Sequence, residues 1–189
     1  LVAQAKKACE YFTGNSVPDA EIDRIERLLS RQMENIILIG MPGCGKSSVG
    51  KALAAALNRP FLDADEEIVR RAGCSIPEIF AAQAEAGFRR LESAVLADLG
   101  KQSGIVLATG GGCVTRPENY PSLHQNGCIV WLTRDLSLLP TDGRPMSQAN
   151  PPESLWERRK ALYEQFSDIK AANDGTIYEC VNAIEEALV

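Results

Sequence analysis

Gly40-Met-Pro-Gly-Cys-Gly-Lys46-Ser47 spells G-x-x-x-x-G-K-S directly after the apolar run Ile36-Ile37-Leu38-Ile39. A short buried strand that ends in a glycine-rich turn and restarts as a helix aims several backbone N–H groups at one point, and the helix N-terminus adds partial positive charge there. Phosphate is the natural occupant. Gly40, Gly43, Cys44, Gly45 and Ser48 belong to the expected cradle, Lys46 would reach the β- and γ-phosphates of a nucleotide such as ATP, and the Ser47 hydroxyl would ligate Mg²⁺. The competing reading is an ordinary glycine-rich turn, and the strand and helix on either side argue against it.

Such a motif names a nucleotide and no reaction, so other polar clusters must choose the acceptor. Phe61-Leu62-Asp63-Ala64-Asp65 follows an apolar segment and puts two carboxylates where an open α/β sheet presents ligands. One carboxylate would serve the Mg²⁺ shell and the other would position or deprotonate an acceptor hydroxyl; capping of the following helix is the plainer alternative. Arg89 stands early in a helical pattern, where the helix dipole disfavours a cation, and Glu92 three residues on can orient it. A surface ion pair is the bland reading there. Thr109-Gly110-Gly111-Gly112 closes an apolar strand, and three glycines allow a ligand close to the backbone, although a flexible turn has the same composition. Arg159 lies in Arg158-Arg159-Lys160-Ala161-Leu162-Tyr163, and Arg144 lies in the proline-rich stretch before it. Arginine's planar fork suits a carboxylate or a transferring phosphoryl group, while Arg158 and Lys160 read as solvated charges.

These residues need a scaffold, and the pattern supplies one. Continuously apolar runs at 36–39, 105–108 and 129–132 read as strands covered on both faces, with shorter ones at 60–62 and 169–172. Helical spacing covers 46–57, 64–72, 76–84, 88–99, 117–125, 152–166 and 176–188. The alternation predicts an α/β fold built on a five-stranded parallel sheet flanked by helices. Residues 139–152, with four prolines, have no period and read as a loop. Residues 1–33 stand apart as a helical extension: one helix over 2–12, a break, and a second from Asp19 as N-cap, with Ile22, Ile25, Leu28 and Leu29 as a stripe that must lie against something. The core domain is expected over 34–189.

In 189 residues, a net charge of −5 and a pI near 5.0 argue against a nucleic-acid surface and for a small phosphate ligand. Six cysteines without a C-x-x-C pair, and His124 as the single histidine, speak against zinc and for reduced thiols in the cytoplasm. No eighteen-residue apolar span and no export signal is evident, so no membrane partner is expected.

In this order, the G-x-x-x-x-G-K-S stretch, Phe-x-Asp-x-Asp, Phe-Arg-x-x-Glu, the triple glycine and Arg-x-x-x-Tyr resemble the shikimate kinases, from about Glu34 to the C-terminus. The resemblance implies a P-loop fold like that of the nucleoside monophosphate kinases, with a lid, and phosphorylation of shikimate by ATP with Mg²⁺ on the way to chorismate and aromatic amino acids. It implies Asp65, Arg89, Gly110, Gly111, Gly112 and Arg159 around shikimate, with Arg89 and Arg159 on its carboxylate. Asp63 would be the acid near Mg²⁺, and Arg144 in Gly-Arg-Pro would be the lid arginine that joins Lys46 and Asp65 in catalysis. Two departures stand out: no second basic residue precedes the lid to face adenine, for which Arg134 is the candidate, and Ala161 replaces the usual proline of the late arginine motif. A gluconate kinase or a nucleoside monophosphate kinase is the alternative within the enzymes, but neither gives a reason for paired carboxylate-gripping arginines. A catalytically silent nucleotide-binding module is the alternative outside them, against which stand Lys46, Ser47, Asp65 and Arg144. Residues 1–14 resemble the closing helix of shikimate dehydrogenases, which implies a kinase joined to such a dehydrogenase, and otherwise a monomer.

Overall fold

The structure, a computed structural model, describes residues 1–139 and 151–188. Five strands form one sheet: β1 (Asn35–Ile39), β2 (Phe61–Asp63), β3 (Val106–Ala108), β4 (Gly127–Thr133) and β5 (Ile169–Ala172). All pair in parallel, in the order β2-β3-β1-β4-β5. The central strand is the one that carries the phosphate motif. Ile36, Ile37, Leu38 and Ile39 are at most 2% exposed, as a strand covered on both faces must be, and each such side chain stabilises the fold by roughly 1.5–3 kcal/mol. At its head, buried Asn35 donates from Nδ2 to the Gln102 carbonyl at 2.6 Å and accepts from the Ile105 amide at 3.1 Å, which ties β1 to the approach to β3.

The helices of the sheet domain are α3 (Lys46–Ala56), α4 (Ala64–Ala72), α5 (Ile76–Leu99), α6 (Asn119–His124), α7 (Pro152–Phe166) and α8 (Ile177–Ala187), preceded by α1 (Val2–Thr13) and α2 (Asp19–Met33). In α7, Leu155, Arg159, Tyr163 and Phe166 are buried at helical spacing, so one face of the helix carries a cation into the interior. The two helical patterns over 76–84 and 88–99 join into the single span of α5, broken at Ala84, whose φ of 54° and ψ of −174° leave the helical region. A strained non-glycine there re-aims the segment that holds Arg89.

The N-terminal helices differ from the sequence expectation in two ways. Pro18 is the N-cap residue of α2; Asp19 sits in the first turn and pairs with Lys6 across the hairpin. Neither helix has a buried residue, and Leu28 and Leu29 stay 45% and 44% exposed, so the apolar stripe is only partly covered by the described residues. The end of α2 is nevertheless anchored: Arg59 donates to the Arg31 and Glu34 carbonyls, and the Gly104 amide donates to Met33 O at 2.8 Å.

Candidate active site

At the carboxyl end of β1 the chain turns through Gly40, Gly43 and Gly45, all with positive φ (143°, 90° and 99°), and restarts as α3 at Lys46. Glycine is required at both ends of this turn. A Cβ on Gly40 would stand 2.4 Å from the Leu132 carbonyl oxygen, and one on Gly45 would stand 2.4 Å from Asn173 Nδ2. Lys46 is 8% exposed and donates from Nζ to the Gly40 and Met41 carbonyls at 2.9 and 3.0 Å. The ammonium is therefore held over the loop, within a cavity of about 710 Å³ that Pro42, Gly43, Gly45, Ser47 and Ser48 also line. Gly40 and Cys44 lie beneath that wall: Gly40 ends the strand, and the Cys44 side chain is fully buried in the core.

Asp63 caps α4, the plainer of its readings, and also faces the phosphate loop. Its Oδ1 accepts from the Asp65 amide at 3.0 Å, capping α4, while its Oδ2 takes the Ser47 hydroxyl at 2.6 Å. A hydroxyl and a carboxylate paired on the cavity wall are hard oxygen donors, and the set fits Mg²⁺. Asp65, in the first turn of α4, lines the same cavity.

On the far wall the acceptor candidates converge from three elements. Arg89, 6% exposed, donates from Nη1 to Glu92 Oε2 at 2.7 Å and from Nη2 to Glu85 Oε1 at 3.3 Å. Burial works against its charge, but Glu92 and Glu85 prevail and hold the guanidinium above its ordinary range. Burial pushes the Glu92 carboxyl up, against the pull of Arg89. Glu92 is fully buried, and among the described residues its Oε1 has no hydrogen-bond partner. The bland alternative of a surface ion pair is thus overturned, because both members sit inside the fold.

The glycine turn after β3 threads between these groups. A Cβ on Gly110 would meet Glu92 Oε1 at 2.5 Å, and one on Gly112 would meet Arg89 Nη2 at 2.2 Å, so a side chain at either position would displace those groups. Arg159, 5% exposed, reaches the turn from α7 and donates from Nη1 to the Gly111 carbonyl at 3.1 Å. Its neighbours Arg158 and Lys160 are exposed, as the sequence pattern implied. Val69, Ile76, Phe80 and Phe88 add an apolar side to the cavity, with the Phe80 and Phe88 rings stacked at 4.7 Å. Arg134, at the end of β4, lines it as well. Arg144, the expected lid cation, lies outside the described residues.

Sequence reasoning missed Asn173. It is 4% exposed just after β5 and donates from Nδ2 to the Cys44 carbonyl at 2.7 Å, latching the phosphate loop from the edge strand, two places from β1 in the sheet. The available signal was its place: a polar residue at the carboxyl end of a parallel strand, where ligands gather.

The cavity thus has the glycine loop and Lys46 at one end and two buried arginines at the other, and comparisons with known proteins agree on the family that carries it. The sequence model of the family described as shikimate kinase matches residues 42–189. A curated shikimate kinase of Burkholderia pseudomallei is 43% identical over 140 residues, spanning 69% of this chain and 76% of that protein. The solved shikimate kinase of Acinetobacter baumannii in complex with shikimate superposes with a TM-score of 0.79 at 34% identity, over 85% of this chain and 96% of that one. A gluconokinase from Sinorhizobium meliloti shares the fold alone, with a TM-score of 0.52 at 20% identity. A phosphate loop facing two buried arginines, in a chain matched over this span and at this identity, places the protein in the shikimate kinase family.

Proposed function

We infer that this chain is an ATP:shikimate 3-phosphotransferase. The observation that carries the reading is the one cavity across which Lys46 and Ser47 face Asp65, Arg89, the 110–112 turn and Arg159. Shikimate is a small ring with one carboxylate and three hydroxyls, and it needs cations on one side and a hydrogen-bond acceptor on the other. Arg89 and Arg159 would hold the carboxylate with their planar forks. Asp65 would accept the hydrogen bond of the hydroxyl to be phosphorylated and take its proton. The backbone of Gly110, Gly111 and Gly112 would meet the ring substituents.

On the donor side, the amides of the 40–48 loop and the Lys46 ammonium would bind the polyphosphate of ATP and offset the charge that develops on the transferring group. Ser47 and Asp63 would hold Mg²⁺, which when bound screens the phosphate oxygens and fixes their orientation. Arg144 would add the lid's cation. Phosphoryl transfer asks little covalent chemistry of a protein, so alignment and charge carry the rate.

The division of the chain belongs to the same proposal: a kinase domain over 34–189, acting as a monomer, and a helical extension over 1–33. The core begins at Ile36 and the extension buries nothing, which supports it. Six free cysteines support residence in the reducing cytoplasm.

The test is release of ADP with shikimate, gluconate or AMP as acceptor. Shikimate is expected to stimulate it well above the basal rate and the others not; equal rates with all three would remove the reading. A steric test concerns the glycine turn. Gly112→Ala drives a methyl group into the place of the Arg89 guanidinium, which is tied to Glu92 and would be pushed off that partner. The shikimate KM is expected to rise about tenfold or more, since a misplacement of about 1 Å weakens a grip this specific, while the ATP KM stays within about twofold. An unchanged shikimate KM would show that Arg89 does not bind the acceptor from this position.

A further inference from the structure

Tyr163 is fully buried, and its hydroxyl donates to the Gly111 carbonyl at 2.5 Å. The same oxygen accepts from Arg159 Nη1 at 3.1 Å. Tyr163 and Arg159 stand one turn apart on α7, so both side chains leave the same face and reach the same point. A carbonyl has two lone pairs and can take both donors.

The reaction sets these two bonds different tasks. Under the function proposed above, on which this inference rests, Arg159 must bring its guanidinium to the acceptor carboxylate. Any swing toward the ligand lengthens its bond to Gly111. We propose that Tyr163 is a positioning residue: it keeps the Gly111 carbonyl satisfied and the glycine turn in place while Arg159 turns to the acceptor.

The surroundings suit that role. Burial pushes the Tyr163 phenol well up, against the nearby charge of Arg159, so the hydroxyl remains a donor. The ring is stacked on Trp131, with centroids 5.8 Å apart, which leaves it little freedom to turn. Gly111 is also pressed against the phosphate loop, since a Cβ there would lie 2.8 Å from Pro42 Cδ. The Tyr163 hydroxyl stands 3.9 Å from Met41 Sδ in the same loop. Movement of the turn would therefore disturb the interface between the donor and acceptor halves of the cavity. Without the phenol, a single guanidinium would have to serve both the carbonyl and the substrate, and binding would forfeit one buried hydrogen bond.

The experiment measures shikimate and ATP KM values and kcat for the wild-type chain, Tyr163→Phe, Arg159→Ala and the double variant. Tyr163→Phe is expected to raise the shikimate KM about 5–10-fold with the ATP KM within about twofold, the loss of one hydrogen bond felt only on the acceptor side. In the Arg159→Ala background, where Tyr163 is left as the side-chain donor to the Gly111 carbonyl, the same change is expected to raise the ATP KM as well, more than the two single effects combined, because the turn loses its anchor. An unchanged shikimate KM or an equal rise in both KM values in Tyr163→Phe alone, or full additivity in the double variant, would each overturn the proposal. Should Tyr163→Phe not fold, Arg159→Ala alone decides. If Tyr163 is the anchor of the turn, Arg159→Ala keeps the ATP KM within about twofold; if Arg159 is the anchor, both KM values rise. A wild-type chain inactive with shikimate would instead remove the functional reading itself, and it is seen before any variant is compared.

Discussion

Lys46→Ala is expected to lower kcat about 10²–10³-fold with shikimate as acceptor, the loss typical of removing one preorganised donor from a transition state that gathers negative charge. The structure explains why no other group takes its place. Lys46 is the first residue of α3, and its ammonium already points over the loop where the phosphates would sit, held by two carbonyls of that loop. Nucleotide binding would exchange those neutral contacts for phosphate oxygens. The shikimate KM should stay within about threefold, because the acceptor groups stand on other elements: α4, the turn after β3, α5 and α7. The fold should survive, since the charge is removed together with its hydrogen bonds to two loop carbonyls and the Cys44 thiol, leaving no ion without its partner. Steady-state kinetics and a melting curve on the same preparation check both statements. A kcat within about threefold of wild type in a folded variant would exclude Lys46 from the transition state.

Arg89→Ala is expected to raise the shikimate KM roughly 10–100-fold while leaving the ATP KM nearly unchanged, the range for losing a charge-assisted hydrogen bond of about 1.5–3 kcal/mol. This substitution also strips Glu92 of its 2.7 Å partner deep in the fold. Leaving one member of a buried ion pair alone destabilises proteins by about 3–5 kcal/mol, and here the raised pKa of Glu92 softens the loss by allowing it to take up a proton. Binding and folding can therefore be separated. In Arg89→Ala/Glu92→Gln the melting temperature should recover, because no uncompensated carboxylate remains, whereas the shikimate KM should not. Recovery of both together would mean that Arg89 acts only by supporting the fold. Equal loss of ATP and shikimate affinity in the single variant would argue against its place on the acceptor.

Much of this architecture is legible along the chain because the physics behind it is local. Strand β1 was readable because a central parallel strand must be apolar on both faces, and Ile36 to Ile39 are. The glycines of the phosphate loop were readable because L-residues avoid positive φ, and all three that were named adopt it. Helices α4 and α7 begin and end where their apolar spacing does. Local signals failed where distant residues decide. Asp19 has the right side chain for an N-cap, but Lys6 on the neighbouring helix takes it and Pro18 holds the cap position. The break between the two helical patterns of α5, by contrast, was expected just after Ala84 and falls at Ala84.

The acceptor half shows the same boundary. Arg89 and Glu92 were visible as a pair three residues apart, but spacing cannot tell a solvated pair from a buried one, and only packing under the 110–112 turn makes it the latter. Asn173 lies 129 positions from the loop carbonyl it holds, a contact that no periodicity encodes. By itself, then, the sequence determined the order of the elements, the donor-binding loop and the identities of the charged residues, because each follows from backbone sterics and short-range periodicity. The tertiary structure alone decided that Asp65, Arg89, Gly111 and Arg159 line one cavity with Lys46. It also decided that Tyr163 and Arg159 share one carbonyl. Those facts depend on the strand order β2-β3-β1-β4-β5, which brings distant segments together at the same edge of one sheet.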